Sequence, residues 1–121
     1  MEYKIEEMYG INIAWKFEGR KYPSYKDFSK AVIEYNRCLD KDINEEDLQR
    51  IIVNAPAFTL IYDNRSFGEN FTYTIEADNK KNLSIGEVLW KLNDHLSEKN
   101  ILVRHCYFEG ICPDGYVRLG S

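Results

Sequence analysis

Long hydrophobic runs are missing from this chain of 121 residues. No stretch approaches the roughly 20 apolar residues that a membrane-spanning helix needs. The first seven residues, MEYKIEE, have neither the basic start nor the apolar centre of a secretory signal peptide. The sequence therefore predicts a cytoplasmic protein that is neither exported nor inserted into a membrane.

Cysteine is scarce as well, since the chain has only Cys38, Cys106 and Cys112. An odd number of thiols in a chain without an export signal favours reduced cysteines over a disulfide framework. A zinc site is disfavoured, because no Cys-x-x-Cys pair is present to begin it. His105 and Cys106 are adjacent, so their side chains would point to opposite faces of a strand. They could not both join His95 in one set of metal ligands. We expect no metal and no other cofactor.

Basic residues form no stripe along the sequence, although lysine and arginine together number 16. They occur singly or in pairs, whereas a protein that binds nucleic acid needs a concentrated basic surface to displace counterions from the phosphates. A glycine-rich phosphate-binding loop is absent too. The sequence therefore argues against a nucleic-acid partner.

The acidic residues, by contrast, are concentrated in one short segment. The chain carries 20 acids and 16 bases, a formal net charge of −4. Residues 40–47, DKDINEED, hold five acids against Lys41, so this acidic segment contributes −4 and the rest of the chain is neutral. A concentrated acidic patch speeds association with a positively charged surface. A basic protein is the partner that this pattern favours, and the alternative is an ordinary solvated loop and helix start.

The acidic segment also begins like a calcium-binding loop, with Asp40, Asp42 and Asn44 at alternate positions. In such a loop the sixth position is glycine and the twelfth is a bidentate glutamate. Glu45 and Ile51 occupy those positions here, which argues against calcium. A helix capped by Asn44 accounts for the same residues.

Hydrophobic periodicity predicts two main helices. The first runs from about Tyr25 to Leu39, where apolar residues recur at intervals of three and four after the capping residue Ser24. The second follows a capping box formed by Ser84 and Glu87 and runs to about Lys99. Its apolar stripe comprises Ile85, Val88, Leu89, Leu92 and Leu96.

A shorter helix is predicted to begin after Asn44 and to continue to about Val53. Acids in its first turn suit the positive end of the helix dipole, and Pro56 limits its end. Residues 51–53, IIV, fit a strand equally well, so both alternatives stay open.

Alternating or continuous apolar residues predict strands, and two clusters of turn residues predict hairpins between them. The predicted strands are Ile11–Phe17, Ala57–Tyr62, Phe71–Ala77, Leu102–Ile111 and Tyr116–Leu119. The predicted hairpin connections are residues 63–70 and 113–115. The elements predict an α+β protein of one domain, residues 1–121, whose antiparallel sheet of about four to five strands packs against two main helices and one short helix.

The second half of the chain resembles small immunity proteins of bacterial polymorphic-toxin and contact-dependent growth inhibition systems. Four stretches carry the resemblance: residues 71–77 (FTYTIEA), 85–92 (IGEVLWKL), 105–111 (HCYFEGI) and 115–121 (GYVRLGS). The resemblance implies a non-catalytic cytoplasmic inhibitor that binds a cognate toxin domain, often a nuclease, and blocks its active site or an adjacent surface. Binding residues vary between such pairs, so the resemblance assigns no site residues.

Charge localisation provides the site prediction instead. Many toxin domains that act on nucleic acid are basic, and an acidic segment can occupy a groove that otherwise takes phosphates. We expect the protein to be no enzyme and to bind its partner through the acidic segment, with a nearby aromatic side chain as an anchor. The predicted contact residues are Asp40, Asp42, Glu45, Glu46, Asp47 and Tyr35.

Two other classes of function stay open on the sequence. A small-ligand-binding or self-associating module would show an apolar pocket or an exposed strand edge. A cysteine-dependent hydrolase would use Cys106 as the nucleophile and His95 as its base.

Overall fold

The described part of the chain comprises residues 8–64, 69–98 and 107–120 of the computed structural model. Its helices are α1 (Tyr25–Cys38), α2 (Glu45–Leu48) and α3 (Ile85–Glu98). Its strands are β1 (Ile51–Val53), β2 (Ala57–Asn64), β3 (Glu69–Glu76), β4 (Leu83–Ser84), β5 (Tyr107–Ile111) and β6 (Val117–Gly120). The longest of these helices have 14 residues each and measure about 21 Å, and none in the described part is long and apolar enough to cross a membrane.

The strands of the described residues form three two-stranded antiparallel sheets, β1 with β4, β2 with β3 and β5 with β6. The α+β class is confirmed, whereas a sheet of four to five strands is not. The β2–β3 pair runs in register from Ala57 opposite Glu76, which confirms the first hairpin. The β5–β6 pair confirms the second, and the part of the predicted fourth strand before residue 107 lies outside the described residues.

An isolated bridge joins the β2–β3 pair to the β5–β6 pair. The Ile61 N–H donates to the Gly115 carbonyl at 2.9 Å, and Ile61 pairs with Tyr116 in a parallel bridge. Gly115 has a φ of +97°, and a Cβ atom there would collide with the carbonyl oxygen of Thr59. A tight turn rather than a strand approaches β2 at this point, so a single hydrogen bond forms where a continuous sheet would have a ladder.

The predicted strand at Ile11–Phe17 is wrong, although its alternation of side chains is largely correct. The side chains buried there are those of Ile13, Trp15 and Phe17. The Ala14 N–H donates to the Asn36 side-chain carbonyl, and the Asn36 amide donates to the Ala14 carbonyl, both at 2.9 Å. A side chain of α1 thus binds the backbone groups that a neighbouring strand was expected to bind, and in the described residues this segment meets β5 at one bridge, Lys16 with Tyr107.

Both main helices are confirmed: α1 ends one residue before its predicted end, and the predicted last residue of α3, Lys99, lies outside the described residues. The Ser24 hydroxyl accepts the Asp27 N–H at 3.1 Å and caps α1 as expected. The Ser84 hydroxyl accepts the Glu87 N–H at 3.1 Å and caps α3. The Glu87 carboxylate does not complete the predicted box, because it accepts from the Asp78 N–H at 2.9 Å and so holds the loop before β4 against the helix.

The short helix is wrong over its second half. α2 ends at Leu48, and residues 51–53 form β1, the strand alternative. The Ile85 N–H donates to the Arg50 carbonyl at 2.9 Å, and β1 pairs with β4 directly before α3. Pairing with residues 30 or more positions away decides this segment, because its local pattern suits either structure.

One cluster of buried hydrophobic side chains connects α1, α3 and the strands. The apolar stripe of α3 is buried in it as predicted. Its neighbour Asn93 accepts the Trp15 Nε1–H at 3.2 Å and donates to the Arg20 carbonyl at 2.8 Å. These bonds hold the chain after Ile13 against the core. The chain before Ile13 is not held by them, and it borders a surface groove.

Candidate partner-binding groove

The acidic segment connects α1 to α2 on the protein surface. All five of its acids are exposed. Asp40 follows α1 with a φ of +58°. Asp47 shares a capping box with Asn44. The Asn44 N–H donates to the Asp47 carboxylate at 2.9 Å, and the Asp47 N–H donates to the Asn44 side chain at 3.1 Å. The segment therefore contains a helix start, and its exposed carboxylates remain available to a partner.

A groove of about 700 Å³ borders the acidic segment. Its lining comes from Met8–Ile13, the first wall, from Ile85 and from parts of residues 41–52. Its lining residues are Met8, Tyr9, Gly10, Ile11, Asn12, Ile13, Lys41, Asp42, Ile43, Asp47, Arg50, Ile52 and Ile85. The structure thus places two of the predicted acids, Asp42 and Asp47, in one concave surface.

Isoleucine side chains form much of the groove surface. Ile13 and Ile85 are buried beneath it, Ile43 and Ile52 are half-buried, and Ile11 is 37% exposed. The groove therefore combines an aliphatic floor with two carboxylates and two cationic side chains, which is the composition of a protein-binding surface rather than of a bare charged loop.

Gly10 allows the first wall to lie against the core. Its φ is +74°, and a Cβ atom there would lie 3.0 Å from both the Ile85 Cδ1 and the Phe108 Cε2. A larger residue would have to displace the groove floor or the ring behind it. The depth of the groove depends on this close approach.

Exposed hydrophobic side chains are concentrated near the acidic segment. Within the described residues, the large hydrophobics with the greatest exposure are Ile11, Leu39, Ile51 and Tyr107. Leu39 directly precedes the acidic segment, Ile51 follows it after α2, and Ile11 lines the groove. Apolar groups beside a polar rim are typical of interaction surfaces.

The remaining predicted contact residues lie outside the groove lining. Asp40, Glu45 and Glu46 stand on the exposed surface beside it. Tyr35 is half-buried on α1, where its ring meets the Trp15 ring edge-on with centroids 5.7 Å apart. The predicted aromatic anchor therefore packs against the core.

Glu45 also affects a tyrosine on α1. Burial of the Tyr25 phenol, reinforced by the nearby carboxylates of Glu45 and Glu87, raises the pKa of Tyr25 to about 12. The phenol stays neutral at physiological pH, so the negative charge at the start of α2 belongs to the carboxylates.

Of the side chains in the cysteine and histidine alternatives, the structure describes those of His95 and Cys112. The Tyr62 hydroxyl hydrogen-bonds to His95 Nε2 at 3.1 Å, and the Tyr73 ring stacks on the imidazole with centroids 3.9 Å apart. Cys112 is buried beside β5, and this burial raises the pKa of its thiol. Cys106 lies outside the described residues. Within the described residues, no group of three or more His, Cys, Asp or Glu side chains is arranged to hold a metal ion.

The wall residues of the groove were missed by the sequence analysis. Met8–Ile13, Arg50 and Ile52 come from separate parts of the chain, and no local spacing connects them. The alternation placed Ile11 on the buried face with Ile13, whereas the structure leaves Ile11 37% exposed, so the sequence contained no signal for the groove. Comparison of the chain with protein-family models, curated proteins and solved structures gives no match.

Proposed function

We propose that this protein is a non-catalytic, cytoplasmic immunity protein that binds a cognate bacterial toxin domain and blocks its active site or its substrate surface. The observation that carries the proposal is the exposed acidic segment beside a groove with an aliphatic floor. The resemblance of the second half of the chain to small immunity proteins of polymorphic-toxin and contact-dependent growth inhibition systems supports the same class. The partner is a basic C-terminal toxin domain, such as a nuclease.

An acidic surface suits such a partner for electrostatic reasons. A nuclease domain binds phosphates through basic residues, and the carboxylates of an inhibitor compete for those residues. Attraction between opposite charges raises association rates by about 10- to 1,000-fold. The exposed isoleucine and leucine side chains then supply the apolar contact that slows dissociation.

Co-expression in a bacterial host tests the proposal. An immunity gene is expected directly after its toxin gene, so the candidate toxin is the C-terminal domain encoded immediately upstream. We expect this domain to stop growth when it is expressed alone, and growth to resume when this protein is co-expressed. A folded protein that neither restores growth nor binds the purified domain would contradict the proposal.

Two variants with equal net charge make the test specific to the acidic segment. Asp47 is left unchanged in both, because it caps α2. The segment variant carries Asp40→Asn, Asp42→Asn, Glu45→Gln and Glu46→Gln. The control variant carries Glu18→Gln, Glu34→Gln, Glu76→Gln and Glu109→Gln, all at exposed positions. We expect the segment variant to protect poorly and the control variant to protect fully.

A small-ligand-binding module is the second candidate function. The groove volume of about 700 Å³ falls within the range of roughly 300–1,000 Å³ that is usual for ligand pockets. Native mass spectrometry of the protein purified from bacteria would show a co-purified small molecule in that case. An Ile52→Trp substitution, which fills the groove, should then release the molecule.

A further inference from the structure

The groove combines aliphatic and charged side chains. Its lining includes Met8–Ile13, Asp42, Arg50, Ile52 and Ile85. Apolar groups mixed with polar ones are typical of a surface that binds another protein. The composition therefore indicates a segment of a protein chain as the occupant.

The aliphatic base determines one part of the occupant. Ile13 and Ile85 are buried below the groove, and Ile43 and Ile52 present half-buried side chains to it. An aliphatic side chain of the occupant would cover these groups, and the apolar surface of both would then be removed from water. The base thus favours a leucine, isoleucine or valine on the inward side of the segment.

The charges around the groove determine which charged residue the occupant carries. Residues 40–50 carry five acids against Lys41 and Arg50. The Asp42 carboxylate has no hydrogen-bond or ion-pair partner among the described residues, and one oxygen of Asp47 remains after its bond to the Asn44 N–H. A lysine or arginine is therefore favoured beside these carboxylates, while Arg50 can donate to peptide carbonyls.

We propose that the groove binds a segment of the toxin domain in which an aliphatic residue stands next to an arginine or lysine. The aliphatic side chain lies on the isoleucine base, and the cation lies against Asp42 and Asp47. This inference rests on the proposed function for the source of the segment, although the groove chemistry is tested without any toxin.

Methyl NMR of the full chain labelled at the isoleucine δ1 positions provides the test. The probes are acetyl-Leu-Arg-amide and, as a matched control, acetyl-Leu-Glu-amide, each at millimolar concentration. The arginine probe should shift the groove methyls with a Kd in the millimolar range, and the glutamate probe should bind at least about threefold more weakly. The groove methyls belong to Ile11, Ile13, Ile43, Ile52 and Ile85. The reference methyls, which should not move, belong to Ile33 and Ile75.

Two single substitutions separate a contact in the groove from the general field of the acidic segment. Asp42→Asn should weaken the arginine probe about two- to fivefold, the range expected for one exposed ion pair. Asp40→Asn removes an equal charge just outside the lining and should leave the affinity unchanged within about 1.5-fold. Unchanged reference methyls in both variants would show that the fold is intact.

Each other outcome overturns the inference. Equal shifts from both probes would identify an apolar pocket without charge preference, and shifts confined to the reference methyls would identify another site. Absence of any shift would exclude the groove as a peptide site. Restored growth in the co-expression test together with silent groove methyls would refute this inference and leave the proposed function. Probe binding without toxin binding would refute the proposed function and the toxin as the source of the segment, and would leave only the chemistry of the groove.

Discussion

Asn36 shows how one buried residue positions a segment at the residue scale. Its side chain binds both backbone groups of Ala14 and also donates to the Val32 carbonyl at 2.8 Å. A buried backbone group that loses its partner costs about 1–3 kcal/mol. Asn36 therefore replaces the sheet partner that the segment around Ala14 lacks.

We expect Asn36→Ala to lower the free energy of unfolding by about 2–4 kcal/mol, because it leaves the N–H and the carbonyl of Ala14 unpaired. The loss should occur even though alanine favours the helix more than asparagine does. Urea unfolding measures it. Asn12→Ala, at an exposed position of the same segment, is the control and should stay within about 0.5 kcal/mol. A loss below about 1 kcal/mol in Asn36→Ala would contradict the role assigned to this side chain.

Tyr25 makes the stability of the protein depend on alkaline pH. Its pKa is 10.0 when unperturbed and about 12 in the fold. Between these values the unfolded chain loses the phenol proton and the native protein keeps it, so stability falls as the pH rises from about 10 to about 12.

Tyr25→Phe should flatten this alkaline loss, because the variant has no proton to lose at this position. Urea unfolding at several pH values between 9 and 12 measures the slope. Part of the slope should remain, since burial also raises the pKa of Tyr62 and of Tyr73. Identical slopes in the natural protein and in the variant would refute the assignment.

The start of α3 illustrates packing at the scale of elements. A Cβ atom at Gly86 would collide with the Tyr25 hydroxyl and would lie 2.8 Å from the Leu48 carbonyl oxygen. α3 therefore meets α1 and the end of α2 through a residue without a side chain. This contact holds the acidic segment, which leads into α2, at a set position beside the core.

Gly86→Ala should destabilise the protein by about 1–3 kcal/mol through overpacking. Helix propensity alone predicts the opposite sign, a gain of about 1 kcal/mol. In a Tyr25→Phe background the hydroxyl is gone and the penalty should be smaller, which a double-mutant cycle by urea unfolding would show. A Gly86→Ala variant with a higher free energy of unfolding would contradict this prediction. It would mean that the contact of α3 with its neighbours accommodates the added methyl group.

The distribution of charge acts at the scale of the whole molecule. The net charge of −4 equals the charge of residues 40–47, so the field of the protein is directional rather than uniform. A directional field steers an oppositely charged partner to one face. The groove borders the acidic segment, so the proposed partner would arrive beside its aliphatic residues.

We expect the segment variant to associate with the toxin domain about tenfold more slowly at low salt, with a flatter dependence on salt concentration. The control variant has the same net charge, and its association rate should stay within about twofold of the natural protein. Stopped-flow mixing at several salt concentrations measures both. Equal slowing in the two variants would assign the effect to net charge and remove the acidic segment from the mechanism.

Local patterns predicted the elements whose signals are repeated within one stretch of chain. The stripe of α3 and the cap of α1 were confirmed, as was the β2–β3 hairpin. Prediction failed for the segment 11–17, where the distant residue Asn36 supplies the backbone partner. It left residues 51–53 open between helix and strand, because their partner, β4, is also distant in the chain. The groove was missed for the same reason.

The sequence by itself determined the two main helices, the hairpins and the concentration of negative charge at residues 40–47. Helical and strand periodicity and charge are properties of neighbouring residues. Only the tertiary structure decided that the strands form three separate pairs within the described residues. It also decided that Asp42 and Asp47 share a groove with Met8–Ile13 and Ile85. These arrangements depend on contacts between residues far apart in the chain, which packing and close approach select and local spacing does not record.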